Sequence, residues 1–308
     1  MAEDGRAGSP PIVAVVGATA SGKTELSLDL AERLGGEIVN TDAMQQYAGM
    51  DVGTAKLPVA ERRGIAHHLL DVLRVAEAAS VAVFQQQARA VIAGLRDRGV
   101  TPVLVGGSAL YTRAVLDRFD FPGTDDAVRG RWEAELDRVG SPALHAVLAG
   151  RDPEAAAGIL RENGRRIVRA LEVIELTGEP YSASLPRLEY ADPHTVQIGV
   201  DIDRDELDRR IEARVDAMFD SGLVDEVRRL LDSGLAQGRT AARAIGYREV
   251  AAYLGGETSE DEARAATKAA TRRFARRQDS WFRKDPRVVW VRHDDPRRVD
   301  LAVAAIEP

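Results

Sequence analysis

The 308-residue sequence has no cysteine. That removes disulfides and thiolate metal sites from consideration and suits a reducing compartment such as the cytoplasm. No apolar run approaches the roughly 18–20 residues that a membrane span requires. The opening stretch MAEDGRAGSP carries acid and has no apolar core, so it reads as a loose tail and not as a signal peptide. Internal repeats, low-complexity tracts and heptads are all missing, and a monomer is the expectation. Lysine is scarce as well. Only Lys23, Lys56, Lys268 and Lys284 stand among 42 basic residues, the other 38 being arginine. In such a background a retained lysine marks a place where the planar, forked guanidinium is a poor replacement, and Lys23 stands out.

Hydrophobic residues make up 44% and charged residues 30%, the balance of a folded globular chain, and the length suits two domains. A formal net charge of −7 argues against nucleic-acid binding, whose affinity rests on phosphate neutralisation. The distribution argues the other way. Arg264, Lys268, Arg272, Arg273, Arg276, Arg277, Arg283 and Lys284 crowd one stretch that holds a single acid, Asp279. Charge runs are usually solvated helix faces, but with matching acids nearly absent this stretch reads as a phosphate-backbone contact. A second cluster comprises Arg161, Arg165, Arg166 and Arg169.

Residues 12–16 form a β-branched run, followed by a glycine-rich loop and then a helical pattern from Lys23 to Leu34 that ends at Gly35-Gly36. Residues 37–40 read as a second strand, 80–98 as a helix capped by Ser80, and 102–105 as a third strand ending at Gly106-Gly107-Ser108. This alternation predicts an α/β fold, a P-loop NTPase-like parallel sheet flanked by helices. Strand signals vanish over 117–194, which reads as an inserted all-helical domain. The core domain is then 1–116 with 195–308, carrying a strand at 196–202, long helices over 204–232 and 261–284, and a last strand at 288–291.

The segment GATASGKT, Gly17 to Thr24, matches the phosphate-binding pattern G-x-x-x-x-G-K-[ST] between a strand and a helix. Gly17 and Gly22 permit the turns that point successive amides into one concavity, and the helix N-terminus adds its positive dipole. Lys23 supplies a cation for the terminal phosphates and the Thr24 hydroxyl a ligand for Mg²⁺. An ATPase usually needs an acid at the end of a neighbouring buried strand, and Val103-Leu104-Val105 ends without one. Asp42, just past the second strand, lies at the same sheet edge and can accept a proton from a nucleophile. Adjacent His67 and His68 point apart on any regular element, so packing is a better account of them than shared metal ligation. On these residues alone a small-molecule kinase using ATP, with Asp42 as base on a hydroxyl, remains open, as does a non-enzymatic RNA-binding protein.

Seven blocks occur in order: GATASGKT, NTDAMQQYAGMDVGTAK, HHLLD, LVGGSALY, RRIVRALEV, RAIGYRE and RRQDSWFRK. Together they resemble the tRNA dimethylallyltransferase family, which prenylates adenine 37 of certain tRNAs. The resemblance spans about residues 12–292. It implies that the loop holds the pyrophosphate of dimethylallyl diphosphate through Gly17, Ala18, Thr19, Ala20, Ser21, Gly22, Lys23 and Thr24, with Mg²⁺ at Thr24, Arg214 as an added cation, and Asp42 as base on N6. It implies tRNA contacts at Asp42, Ala43, Met44, Gln45, Ser108, Arg129, Arg165, Arg166, Arg169, Arg243, Gly246, Tyr247, Arg248, Arg276, Arg277, Gln278, Trp281 and Arg283. Tyr47, Tyr247 and Trp281 are the aromatics available to stack on a base turned out of the anticodon loop. Two departures stand out: Ala43 replaces the family's usual Ser, and Ser108 its usual Thr.

Overall fold

Strands and helices alternate in the computed structural model, which describes residues 9–118, 121–184 and 188–307. The expected N-terminal tail lies largely outside those residues. β1 (Ile12–Val16), α1 (Lys23–Leu34), β2 (Gly36–Asn40), β3 (His67–His68), α2 (Val81–Asp97), β4 (Thr101–Val105) and α3 (Ala109–Leu116) come first. The helices α4 (Asp126–Val139), α5 (Ser141–Arg151), α6 (Pro153–Gly158) and α7 (Gly164–Thr177) follow without an intervening strand. The chain then adds β5 (Thr195–Asp201), α8 (Arg204–Asp220), α9 (Leu223–Asp232), α10 (Tyr247–Leu254), α11 (Glu260–Phe282), β6 (Val288–Arg292) and α12 (Arg298–Ile306). It packs as two compact units, Asp117–Ala191 and the remainder.

In the larger unit all six strands run parallel in the order β3-β2-β4-β1-β5-β6. β1 is buried along its whole length, as a central strand covered on both faces must be. Val13 and Val15 share one apolar cluster with Leu26 and Leu30 of α1 and with Ala302 and Ile306 of α12. α2 is fixed at its start by the Ser80 hydroxyl, which accepts from Val83 N at 3.4 Å. Phe84, Ala88, Ile92 and Leu95 form its buried stripe.

The stretch 204–232 is two helices and not one. The first ends at Asp220, and Gly222 at φ 94° turns the chain into α9. A side chain there would be strained. The short strand β3 and the short helices α10 and α12 were not expected from the sequence. A second cluster gathers Tyr47, Met50, Ile211, Val215, Phe219, Leu223, Val227 and Tyr247, so α8 to α10 pack around the loop that follows β2.

The smaller unit has its own core of Leu144, Leu148, Ile167 and Leu171 with partly buried Trp132 and Leu136. Its ends meet in an antiparallel bridge between Asp117 and Tyr190. The buried Glu172 carboxylate accepts from Arg129, Arg169 and the Asp125 amide, tying α4 to α7.

Candidate active site

Strand register sets the site. Val15 and Asn40 both pair with Val105, so the loops after β1, β2 and β4 leave one sheet edge side by side. They pack with almost no clearance. A Cβ on Gly106 would fall 2.3 Å from Thr41 Oγ1 and 2.8 Å from the Asp42 amide, and one on Gly107 would fall 2.2 Å from Gln278 Nε2. Only glycine fits at Gly106, where backbone blocks a side chain, whereas at Gly107 the Gln278 carboxamide would have to give way.

The first loop is a nest. Gly17 and Gly22 adopt φ 138° and 101°, and Ala20 holds a left-handed φ of 63°, an uncommon conformation for a residue with a side chain. α1 starts at Lys23 with no side chain capping its N-terminus, leaving its first amides to a ligand. Ser21 Oγ is buried without a protein partner among the described residues. Lys23 Nζ lies across the loop, donating to Ala18 O at 2.5 Å. Burial foremost, and the nearby Arg214 guanidinium second, pull the Lys23 ammonium down from 10.5 to about 7, against the opposing pull of the Asp42 charge.

α8 presents two cations to this loop. Arg214 is exposed by area yet ringed by protein in a concavity, so desolvation and then Arg210 lower its pKa. It has no carboxylate partner among the described residues. Arg210, one turn earlier, reaches about 4.0 Å from where a Gly22 Cβ would stand and is held by Glu206 at 2.7 Å. Its i, i+4 relation to Arg214 is a signal the sequence reading missed.

Asp42 is held in a tight turn. Asn40 brackets it, accepting from the Asp42 amide at 2.9 Å and donating to Asp42 O and Leu69 O at 3.0 Å each. Asp42 Oδ1 accepts from Met44 N at 2.9 Å, and Oδ2 has no partner among the described residues. Burial raises the Tyr111 phenol to about 12. The segment beyond is clamped from within. Buried Glu226 accepts from the amides of Asp51, Val52 and Gly53 at 3.1, 2.7 and 3.1 Å, and Lys56 Nζ donates to Tyr47 O, Asp51 and Asp71 at 2.9, 2.7 and 2.5 Å. Lysine survives at position 56 because a compact ammonium serves three converging oxygens.

The expected RNA contacts divide. Arg165, Arg166 and Arg243 are exposed without acidic partners among the described residues, and Trp281 is 49% exposed. Ala43, Met44, Gln45 and Ser108 are half-buried around the Asp42 turn. Arg129 and Arg169 are instead committed to Glu172, and Arg248 pairs with Glu249. Arg283 pairs with Asp201 and lies over the Trp290 ring at 3.9 Å. Gly246 is buried, its amide donating to Glu249 at 2.8 Å. Two aromatics expected to stack are core residues: Tyr47 donates to Glu77 O and Tyr247 to Glu226 at 2.6 Å, with neither ring exposed. Gln278 is buried too, its carboxamide spent on the loops around it. His67 and His68 have separate partners, Ile65 O at 2.9 Å and Glu37 at 2.6 Å.

The basic stretch needs the largest revision. Its acids come from α8: Asp208 meets Arg276, Glu212 meets Arg272, Asp216 meets Lys268, and Asp220 meets Arg264, at 3.4, 2.5, 2.7 and 3.1 Å. Arg273, Arg277 and Lys284 stay exposed without a carboxylate among the described residues, Arg277 lying 5.8 Å from the Phe274 ring.

Residues 45–285 match the model of the IPP transferase family. The chain belongs to that family. It is 74% identical over 296 residues to a tRNA dimethylallyltransferase of Nocardioides sp., covering 96% of each chain. It is 60% identical to one of Streptomyces avermitilis, covering 92% of this chain and 90% of that one. Among solved structures, the tRNA isopentenylpyrophosphate transferase of Bacillus halodurans superposes with a TM-score of 0.70 at 40% identity, over 96% of this chain and 97% of that one. A eukaryotic dimethylallyltransferase that acts on tRNA shares the fold at a TM-score of 0.81 and 23% identity, over 96% of this chain and 77% of that one. In this family member the α/β frame places the loop, Asp42 and the α8 cations at one sheet edge, whereas the family match itself begins at residue 45, beyond both the nest and Asp42.

Proposed function

We propose that the chain transfers the dimethylallyl group of dimethylallyl diphosphate to N6 of adenine 37 in the anticodon loop of tRNA, releasing pyrophosphate. The observation that carries this reading is the glycine-packed meeting of an anion nest and a carboxylate with one free oxygen at one sheet edge. The adenine amine is a weak nucleophile, since its lone pair is delocalised into the ring. The allylic C–O bond therefore breaks with its electron pair leaving on pyrophosphate, whose charge the nest amides, Lys23 and Arg214 stabilise. As the N6–C bond forms, Asp42 Oδ2 takes the N6 proton.

No cluster of three or more His, Asp or Glu side chains suited to a metal occurs among the described residues. The site nonetheless fits Mg²⁺, which keeps several waters and binds through substrate phosphates with one or two protein oxygens. The exposed Thr24 hydroxyl would hold it, and when bound the ion would neutralise charge on the leaving group.

Exposed Arg273, Arg277 and Trp281 on α11 and Lys284 just beyond it, with Arg165 and Arg166 of the smaller unit, are the groups we assign to tRNA. No helix among the described residues is long and apolar enough to cross a membrane, and a cytoplasmic monomer is the working form. The kinase alternative lacks an acid where β4 ends.

The test is transfer of label from dimethylallyl diphosphate to an anticodon stem-loop bearing adenine 37, with Mg²⁺ and without ATP. Labelled RNA is the expected result; ATP consumption on a small alcohol with no labelled RNA would overturn the proposal. Asp42→Ala should cut turnover at least about 10²-fold while leaving stem-loop affinity near that of the wild type.

A further inference from the structure

α11 carries two kinds of side chain that face different tasks. Arg273, Arg277 and Trp281, spaced by four, form an exposed stripe, and exposed Lys284 follows in the turn just past the helix end. Ala275, Gln278 and Phe282, spaced by three and four, form a buried one. Gln278 is the polar member of the buried stripe, 5% exposed, and both ends of its carboxamide are engaged. Oε1 accepts from the Thr19 amide at 2.9 Å and Nε2 donates to Gly107 O at 2.8 Å. The partners fix the orientation of the amide, because a backbone N–H only donates and a carbonyl only accepts.

Thr19 is the third residue of GATASGKT, immediately before the left-handed Ala20. Gly107 belongs to the glycine pair that packs the β4 loop against its neighbours. One side chain 259 residues away in sequence therefore pins the backbone just where the nest turns. The other restraints at that point are local: Lys23 Nζ donates to Ala18 O at 2.5 Å and Ser21 N to the same oxygen at a long 3.3 Å, while Ser21 Oγ is without a protein partner among the described residues. The fit is close enough that a Cβ on Gly107 would displace the Gln278 amide. α11 is in turn braced against α8 by four successive ion pairs.

We propose that Gln278 is a positioning residue: it holds the nest in its diphosphate-binding shape and couples that shape to RNA lying on the exposed stripe of the same helix. The coupling rests on the assignment of that stripe to tRNA. The pinning of the loop does not. Coupling of this kind is reciprocal, so RNA on α11 should change diphosphate affinity by the same factor that diphosphate changes RNA affinity.

The experiment measures inorganic pyrophosphate binding by calorimetry, with and without saturating anticodon stem-loop, for the wild type and for Gln278→Met, which keeps length and removes both hydrogen bonds. The wild type should bind pyrophosphate several-fold more tightly with the stem-loop present. Gln278→Met should weaken pyrophosphate about tenfold, leave stem-loop affinity unchanged, and erase the effect of one ligand on the other. In turnover the larger loss should fall on KM for dimethylallyl diphosphate, while KM for RNA at saturating donor should rise only by the coupling factor that is lost. Should Gln278→Met fail to fold, Gly107→Ala displaces the same amide with Gln278 chemically intact, and the same changes are expected.

Pyrophosphate affinity within twofold of wild type in the variant overturns the pinning, and a wild type in which the stem-loop leaves pyrophosphate affinity unchanged overturns the coupling. Loss of pyrophosphate affinity in the variant together with no prenyl transfer by the wild type would keep the pinning and remove the proposed activity. Normal transfer with an unaffected variant would do the reverse.

Discussion

Lys23 gives the most quantitative consequence of the site. Its ammonium is desolvated and faces Arg214, which brings its pKa from 10.5 to about 7. With no anion bound, the side chain is then about half charged at pH 7, about nine-tenths charged at pH 6 and about one-hundredth charged at pH 9. Diphosphate favours the charged form, so binding draws a proton from solvent: about half a proton per site at pH 7 and close to one at pH 8. If only the ammonium form binds, the dissociation constant of pyrophosphate rises about fiftyfold between pH 7 and 9 and is nearly flat below pH 6. Pyrophosphate itself titrates in this range. The informative quantity is therefore the ratio of dissociation constants for Lys23→Met and wild type, in which the ligand's own ionisation cancels. That ratio should be large at pH 6 and fall towards one by pH 9. Stability without ligand runs in the matching direction. A lysine whose folded pKa is depressed releases its proton on folding between about pH 7 and 10.5, so the contribution of Lys23 to stability rises with pH through that window. A Lys23→Met to wild-type ratio that stays constant from pH 6 to 9 would refute the assignment of a near-neutral pKa.

Glu226→Ala strands the amides of Asp51, Val52 and Gly53 and the Tyr247 hydroxyl, and it should cost about 3 kcal/mol or more. Tyr247→Phe removes a single bond and should cost about 1 kcal/mol; equal losses in denaturant melts would show that the carboxylate is not the clamp. Arg277→Ala should weaken tRNA binding and flatten its salt dependence by up to about one unit of slope. Arg264→Ala, whose guanidinium is committed to Asp216 and Asp220, should leave the slope unchanged in the same anisotropy titrations.

The nest was legible because its chemistry is local: eight consecutive residues fix glycine turns, cation and hydroxyl between a strand and a helix. Asp42 was legible for a similar reason, since the end of a parallel strand lies at the ligand edge wherever it falls in the sheet. Aromatics and arginines were not. Tyr47 and Tyr247 sit in polar, glycine-containing segments that suggest exposure, yet both are held inside by distant partners. Gly53 lies so close to the Tyr247 ring that a Cβ would fall 2.5 Å from it, a contact no local pattern announces. Gln278 was expected at the RNA and its hold on the loops was not read, and Glu226 was not read at all, because their partners lie 259 and about 175 residues away.

The basic helix shows what a single-segment reading of charge leaves out. Read alone, the stretch from Arg264 to Lys284 holds a single acid, Asp279, and looks built throughout for phosphate. Asp208, Glu212, Asp216 and Asp220 recur every fourth residue on α8, as Arg264, Lys268, Arg272 and Arg276 do on α11, and the two series run in opposite order along an antiparallel pair. Half of the stretch's eight cations are thus consumed in packing the helix. Each such pair contributes little alone, but four in register fix how α11 rests on α8. Arg283 is held separately by Asp201. The cations left for RNA are Arg273 and Arg277, whose helical phase turns them away from α8, and Lys284, which lies just past the helix end. A chain of net charge −7 therefore presents a positive face without a positive surplus, because its acids have been spent on holding that face in place.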